Sequence, residues 1–327
     1  MRTIVPSVRT LVLISIFVIT TKISNSQSIT SGNGRYEFGV GVGPMFFLGD
    51  LGGNNGKGTT FIKDINLPLT KLSKGVYANF YATEWLGFRL AINQGKLEGY
   101  DSIIKDKGGA EWHRKNRNLQ FQSSVLEGFI AAEFYPTVFL EQYSGNQGKI
   151  RPYGLIGFGM FKFNPKGKYY DANGNSAWVD LQPLRTEGQG MAEYSKRKPY
   201  KLMEMEIPMG IGVKYFIKEN FYIGMEVLHR KTFTDYIDDV STTYIDANLF
   251  DQYLTPEQAQ MARQMHFREN FVPNAPLNRQ PTANEQRGDP KEKDSFFSSI
   301  LRFGWRLSDP NSPNNRAARQ LRCPSFY

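Results

Sequence analysis

The sequence predicts an all-β fold, an eight-stranded antiparallel transmembrane β-barrel with long external loops and short periplasmic turns. Three observations carry the prediction. Segments of about ten residues alternate apolar and polar side chains with a period of two, the spacing of a strand with one apolar face. The connections between these segments are alternately long and short. The composition agrees: of 327 residues 31 are Gly and 14% are aromatic. Beyond Thr30 no apolar run approaches the roughly 20 residues that a membrane-spanning helix needs. A net charge of +9 with 40% hydrophobic residues is also too little charge on too apolar a chain for a disordered protein.

Residues 1–26 read as a secretory signal peptide. Arg2 and Arg9 supply the positive region, Leu11 to Ile19 the apolar region, and Ser24-Asn25-Ser26 the small residues before Gln27. An uncleaved anchor is the alternative, and its apolar run is too short to span a bilayer. Loss of Arg2, Arg9 and Lys22 lowers the net charge from +9 to +6 (9 − 3). An exported, mildly basic chain gives no support to a nucleic-acid partner. Residues 27–34 then form an N-terminal periplasmic segment, 35–307 the barrel and 308–327 a basic periplasmic tail. The single Cys, Cys323, excludes an internal disulfide framework and any thiolate-rich metal site within one copy.

The eight strands follow in order. Tyr36–Met45 sets Tyr36, Phe38, Val40 and Val42 against Glu37, Gly39, Gly41 and Gly43. Gly75–Ala82 sets Val76, Ala78 and Phe80 against Tyr77, Asn79 and Tyr81. Leu86–Leu97 opposes Leu86, Phe88, Leu90 and Ile92 to Gly87, Arg89, Ala91 and Asn93. Phe121–Phe134 opposes Leu126, Ile130, Ala132 and Phe134 to Glu127, Phe129 and Glu133. Pro152–Phe163 is apolar on both sides, so its faces stay unassigned. Met203–Val213 alternates Met and Ile with Glu204, Glu206, Pro208, Gly210 and Gly212. Ile223, Met225 and Val227 then face away from Gly224, Glu226 and Arg230, and Phe297–Leu307 places Leu301, Phe303 and Trp305 opposite Arg302, Gly304 and Arg306. A soluble sandwich with its charged face in water is the alternative.

The connections decide between the two. Leu51 to Ser73, Glu98 to Asn118, Asn164 to Lys201 and Thr234 to Lys293 are long and polar. Those around Thr83-Glu84-Trp85, Tyr135 to Ile150 and Lys218-Glu219-Asn220 are shorter, and Trp85, Tyr135 and Trp305 fall near them as an aromatic girdle would. With lipid outside, Arg89, Glu127, Glu133, Glu204, Glu206, Lys214, Glu226, Arg230, Arg302 and Arg306 point into a lumen only wide enough to be filled by side chains. Buried charges persist when paired. The expectation is therefore a salt-bridged plug, with Glu206 close to Arg230 across the Lys218-Glu219-Asn220 hairpin, and no open channel.

Signals for chemistry are weak. Leu51 to Thr59 resembles a phosphate loop but has the wrong Gly spacing, with Gly58 where a magnesium-binding hydroxyl belongs. His113, His229 and His266 match no metal spacing. A rim-active lipid-modifying enzyme would need His229 with a hydroxyl from Ser241, Thr242 or Thr243, a set that no spacing specifies. Asp235, Asp238, Asp239 and Asp246 offer oxygen ligands of the kind calcium takes, and a solvated or partner-facing loop accounts for them as well. No catalytic residue, metal or cofactor is assigned. Thr255-Pro256-Glu257 starts a short helix through about Met265, placed to cover the barrel mouth or offer a contact surface. In the tail, Arg316, Arg319 and Arg322 against Asp309 give +2 (3 − 1). Together with Cys323 they form a candidate partner-binding segment, with an intermolecular disulfide open to Cys323 in an oxidising compartment.

Several segments together resemble a known family. Arg230 to Tyr244 (RKTFTDYIDDVSTTY) is the most specific; Phe47 to Leu51, Arg117 to Phe121, Arg151-Pro152-Tyr153, Phe161 to Pro165 and Thr186 to Gly190 accompany it. This set is similar to PorG, the outer-membrane β-barrel family of the type IX secretion system, over about Tyr36 to Trp305. The resemblance implies a non-enzymatic barrel in the outer membrane of a Gram-negative bacterium, bathed by outer-membrane lipid. It also implies contact with the periplasmic ring of PorK and PorN (GldK and GldN in gliding bacteria), and a part in protein secretion and gliding motility. A rim-active enzyme and a stand-alone adhesion or small-solute barrel are the other functions considered.

Overall fold

The computed structural model describes residues 35–51, 70–104, 111–139, 149–218, 220–269 and 281–307. The signal-peptide, N-terminal-segment and tail assignments, including Arg316, Arg319, Arg322 and Cys323, lie outside the described residues.

Eight strands close a ring: β1 (Tyr36–Leu48), β2 (Lys71–Tyr81), β3 (Leu86–Tyr100), β4 (Gln120–Phe134), β5 (Ile150–Lys162), β8 (Met203–Lys218), β9 (Phe221–Thr232) and β10 (Ser295–Leu307). Each is antiparallel to its sequence neighbour in the ring, and β10 returns to β1, so no edge is left open. A sandwich is thereby excluded. Closure satisfies every ladder internally, which is what allows strands to sit in an apolar surround.

The faces divide as the alternation predicts. Outward, Ile211 is 71% exposed, Ile130 62%, Met225 57% and Val76 56%; inward, Glu37, Arg89, Glu133, Glu206, Lys214 and Arg230 are at 0%. A soluble sheet would show the reverse. β5 resolves in the same way, with Ile156, Phe158 and Met160 outward and Tyr153, Leu155 and Phe161 inward. Two inward glycines are spatial requirements: a Cβ at Gly39 would collide with the Tyr77 ring, and one at Gly304 with the Tyr222 ring.

At the short-turn end, Tyr36–Phe80 (5.5 Å), Phe221–Trp305 (5.2 Å) and Trp85–Phe134 (6.0 Å) form an outward aromatic belt. Tyr135 is not in it. Phe134 takes the outward position of that alternation, so Tyr135 turns into the lumen and is 2% exposed.

The long loops fold together over the other end. The third carries a hairpin that the alternation does not reveal, β6 (Pro165–Tyr170) and β7 (Ser176–Asp180), with β6 continuing along β4 above β5. Its turn is an Asx turn: Asp171 Oδ1 accepts from Asn173 N (2.9 Å) and Asn175 N (2.8 Å), and Gly174 has φ +82°. Among the described residues three α-helices lie in the loops, α1 (Glu111–Arg117), α2 (Leu249–Tyr253) and α3 (Pro256–His266). Thr255 and Gln258 close a capping box on α3 with Pro256 in its first turn. Its buried face, Ala259, Ala262 and Met265, joins a core shared with Leu184, Ile237, Phe250 and the upper lumen residues Met45, Phe121, Phe161 and Phe296.

Candidate functional site: a charge-filled lumen under a knotted cap

The lumen is built in layers from strand residues of one parity. Nearest the short turns, Glu37 accepts from Lys214 Nζ (2.8 Å), Tyr81 OH (2.6 Å), Tyr222 OH (2.6 Å) and Asn79 Nδ2 (2.9 Å), with Arg306 at 3.8 Å. In the middle layer Glu226 accepts from Arg89 Nη1 (2.6 Å), Tyr153 OH (2.6 Å) and Arg302, and Arg89 also pairs with Glu133. Above these, Glu127 accepts from Asn93 Nδ2 (2.6 Å) and from Arg230 through both Nε (2.9 Å) and Nη2. Tyrosine faces fill the space between, as where Arg302 lies 4.7 Å over Tyr77 and Lys214 4.6 Å over Tyr222.

Five cations (Arg89, Lys214, Arg230, Arg302, Arg306) and five carboxyl residues (Glu37, Glu127, Glu133, Glu206, Glu226) are thus buried together, the most exposed of them being Arg306 at 7%. A sixth cation, Arg151, packs over the Phe216 ring (5.5 Å) at the short-turn rim. Of the ten residues placed in the lumen from sequence, eight enter these pairs. Glu206 is fully buried but forms no ion pair among the described residues. Glu204 is half-buried and joins none among them. The expected Glu206–Arg230 contact does not form. The register opposes Glu206 to Thr232 and Pro208 to Arg230, and the Arg230 guanidinium reaches across to Glu127. The alternation places Glu37 and the lumen tyrosines on the inward face. Their roles as acceptor and donors become visible only once the opposite wall is known.

The cap is tied by a second set of groups. Arg117 holds Asp101 in a two-pronged contact (2.8 and 3.0 Å), donates to Asp50 O (2.7 Å) and also to Arg287 O, so that the first, second and fourth loops meet on one guanidinium. Glu187 of the third loop accepts from Ser241 N (3.0 Å), Thr242 N (3.0 Å), Thr242 Oγ1 (2.7 Å) and Arg287 Nη1 (2.8 Å). Asp239 accepts from Tyr200 OH (2.7 Å) and Thr186 Oγ1, and Asp238 accepts from Leu51 N (2.9 Å) and Val240 N (3.0 Å). Phe47 to Leu51, Arg117 to Phe121, Thr186 to Gly190 and Arg230 to Tyr244, scattered along the chain, thereby converge on one knot.

The acidic residues of the fourth loop are buried structural acceptors. Burial pushes the Asp235 carboxyl up to about 7, against the pull of its Ser241 hydrogen bond, and Asp50 and Asp239 up to about 6. Burial likewise raises Asp238 and Asp294, and other carboxyl groups push the same way, Asp50 on Asp238 and Asp238 and Asp235 on Asp294. Among the described residues no group of His, Cys, Asp and Glu is arranged to hold a metal ion. Burial lowers His266 to about 3, and its Nδ1 donates to Thr186 O (2.7 Å). The Ser/Thr–His set is not assembled. His229 is on the outward face of β9 opposite Met209 and Phe297, whereas Ser241, Thr242 and Thr243 engage Asp235, Glu187 and Arg197 inside the cap.

No family model and no curated protein matches the chain. Among solved structures, it is similar to a major outer membrane protein of Thermus thermophilus (12% identity, 83% of this chain and 99% of that one, TM-score 0.36). Neisserial surface protein A (8%, 84% and 99%, 0.34) and Ail, the attachment invasion locus protein of Yersinia pestis (9%, 85% and 100%, 0.33), are also similar. The closed eight-strand pairing described above, and not these distant likenesses, establishes the barrel.

Proposed function

We propose that this chain spans the outer membrane as a closed, non-conducting barrel. In this reading it serves the type IX secretion apparatus as a structural component that contacts the periplasmic PorK/PorN (GldK/GldN) ring, in secretion and in gliding. The apolar exterior, the aromatic belt and the closed pairing support the membrane placement, since closed barrels and helices alone satisfy their backbone in lipid. One observation carries the structural, non-conducting role: the lumen is filled with matched charge, which favours a structural element over a pore. The convergence of four of the six family-like segments on a single knot supports treating those four as one spatial unit. The short-turn end faces the periplasm, and the tail with Arg316, Arg319, Arg322 and Cys323 is the proposed ring contact.

The test is co-purification after mild cross-linking, with the full chain and with a chain lacking 308–327. Recovery of the ring lipoproteins by the full chain, reduced on tail removal, supports the reading. Normal secretion in a deletion strain, with no ring protein recovered, overturns it.

A further inference from the structure

The outward face of the barrel is not uniform around its circumference. On the β2–β5 wall, one rung across the strands runs Lys74–Gln94–Leu126–Lys162, and Lys96 stands two residues above Gln94 on the same face, opposite Ser124. The next rung toward the short turns is Val76–Ile92–Gly128–Met160, the upper edge of the apolar band. All three lysines are exposed. None is in an ion pair among the described residues, and the neighbouring acids are already engaged, Glu98 by Lys71 and Asp180 by Lys166, each at 3.1 Å. The facing wall differs. There Phe46 stacks on Phe297 (4.7 Å), and Met203 and Met205 are exposed. Within β8, β9, β10 and β1 Lys231 is the one outward cation near the long-loop end among the described residues, with Lys201 and Lys293 standing just before β8 and β10.

We propose that Lys74, Lys96 and Lys162 form a binding site for the phosphorylated headgroup of a lipid in the leaflet at the long-loop end. The inference rests on the membrane-spanning reading. Lys74 and Lys162 are three strand spacings apart, about 14 Å along the sheet, a span that suits a headgroup carrying more than one phosphate. Their long stems lie along the apolar band while the ammonium groups reach the headgroup level. Gln94 and Ser124 add neutral hydrogen-bonding groups between them. Acyl chains of the same lipid would run down Val76, Ile92 and Met160.

The full-length protein is reconstituted into phosphatidylcholine vesicles containing either diphosphorylated lipid A or its fully dephosphorylated form, re-extracted gently, and weighed by native mass spectrometry. The expected result is retained diphosphorylated lipid on the wild type, no retention of the dephosphorylated form, and about a tenfold or greater loss of retention in K74Q/K96Q/K162Q. The K231Q control keeps it. Equal retention of both lipids by the wild type overturns the proposal without any variant, and equal retention by the triple variant overturns the assigned residues. A wild type that does not insert into vesicles overturns the spanning reading instead.

Discussion

Arg230 of β9 and Glu127 of β4 meet across the lumen through two donors, Nε at 2.9 Å and Nη2, while Glu206 lies beside Glu127 with no cation paired to it among the described residues. The two carboxyl residues therefore have opposite mutational consequences. E127A strands a buried guanidinium and is expected to cost about 3–5 kcal/mol. E206Q keeps the shape and a hydrogen-bonding group beside Glu127, breaks no ion pair and leaves stability unchanged or higher. Urea titration of the folded, heat-modifiable band of the purified barrel measures both, and a large loss in E206Q with none in E127A would contradict the pairing.

Conductance is the second prediction. With Arg89, Glu226, Arg302 and Glu133 filling the middle layer, the protein in planar bilayers should show no steady current steps. Truncating the layer with R89A/E226A, which removes one cation and one carboxylate together, is expected to admit ions. Steady steps from the wild type would refute a sealed lumen.

The cap should come apart locally. E187A leaves the Ser241 and Thr242 N–H groups and the Arg287 guanidinium without their shared acceptor, a loss of about 3–5 kcal/mol of cap stability by the same reasoning. Limited proteolysis should then cut within 186–190 and 234–246 while the strands stay resistant. Cleavage spread equally through the strands would mean the cap is not a separate stability unit.

Cap stability should also fall as pH rises. Asp235, Asp50 and Asp239 have folded values near 7, 6 and 6 against an ordinary value of 3.8. The folded cap holds more protons than the unfolded one between about pH 4 and 7, so stability decreases across that window. His266, lowered to about 3 from 6.5, opposes this over pH 3 to 6.5, one group against three. Amide exchange in the fourth loop should be faster at pH 7.5 than at pH 5 after correction for intrinsic rates. D235N, which fixes the neutral form, should flatten the difference, and an unchanged profile in D235N would remove Asp235 from the effect.

The barrel is legible because period-two alternation is a local signal repeated eight times, and a one-residue slip would turn every side chain over. Tyr135 is misplaced by sequence because two adjacent aromatics, Phe134 and Tyr135, compete for one outward position. The Glu206–Arg230 pairing fails for a related reason: composition names the inward charges, but partner choice depends on register to the residue and on strands that lie opposite in the ring. Glu187 gives no signal beyond its place in a family-like motif, since its partners come from loops far along the chain. The β6–β7 hairpin has a readable turn, Asp171 to Gly174, but strands too short for alternation to stand out.

The lumen charges are unevenly divided along the chain. β1 to β5 contribute Glu37, Glu127 and Glu133 against Arg89 and Arg151, a balance of −1 (2 − 3), while β8 to β10 contribute Lys214, Arg230, Arg302 and Arg306 against Glu206 and Glu226, a balance of +2 (4 − 2). In a nascent half-barrel of the first five strands, Glu37 would lack Lys214 and Glu127 would lack Arg230, and carboxylates without such partners resist leaving water. The later strands bring the neutralising charge. Each half thus meets its charge only in the other, which favours insertion together with ring closure over insertion of the first five strands alone.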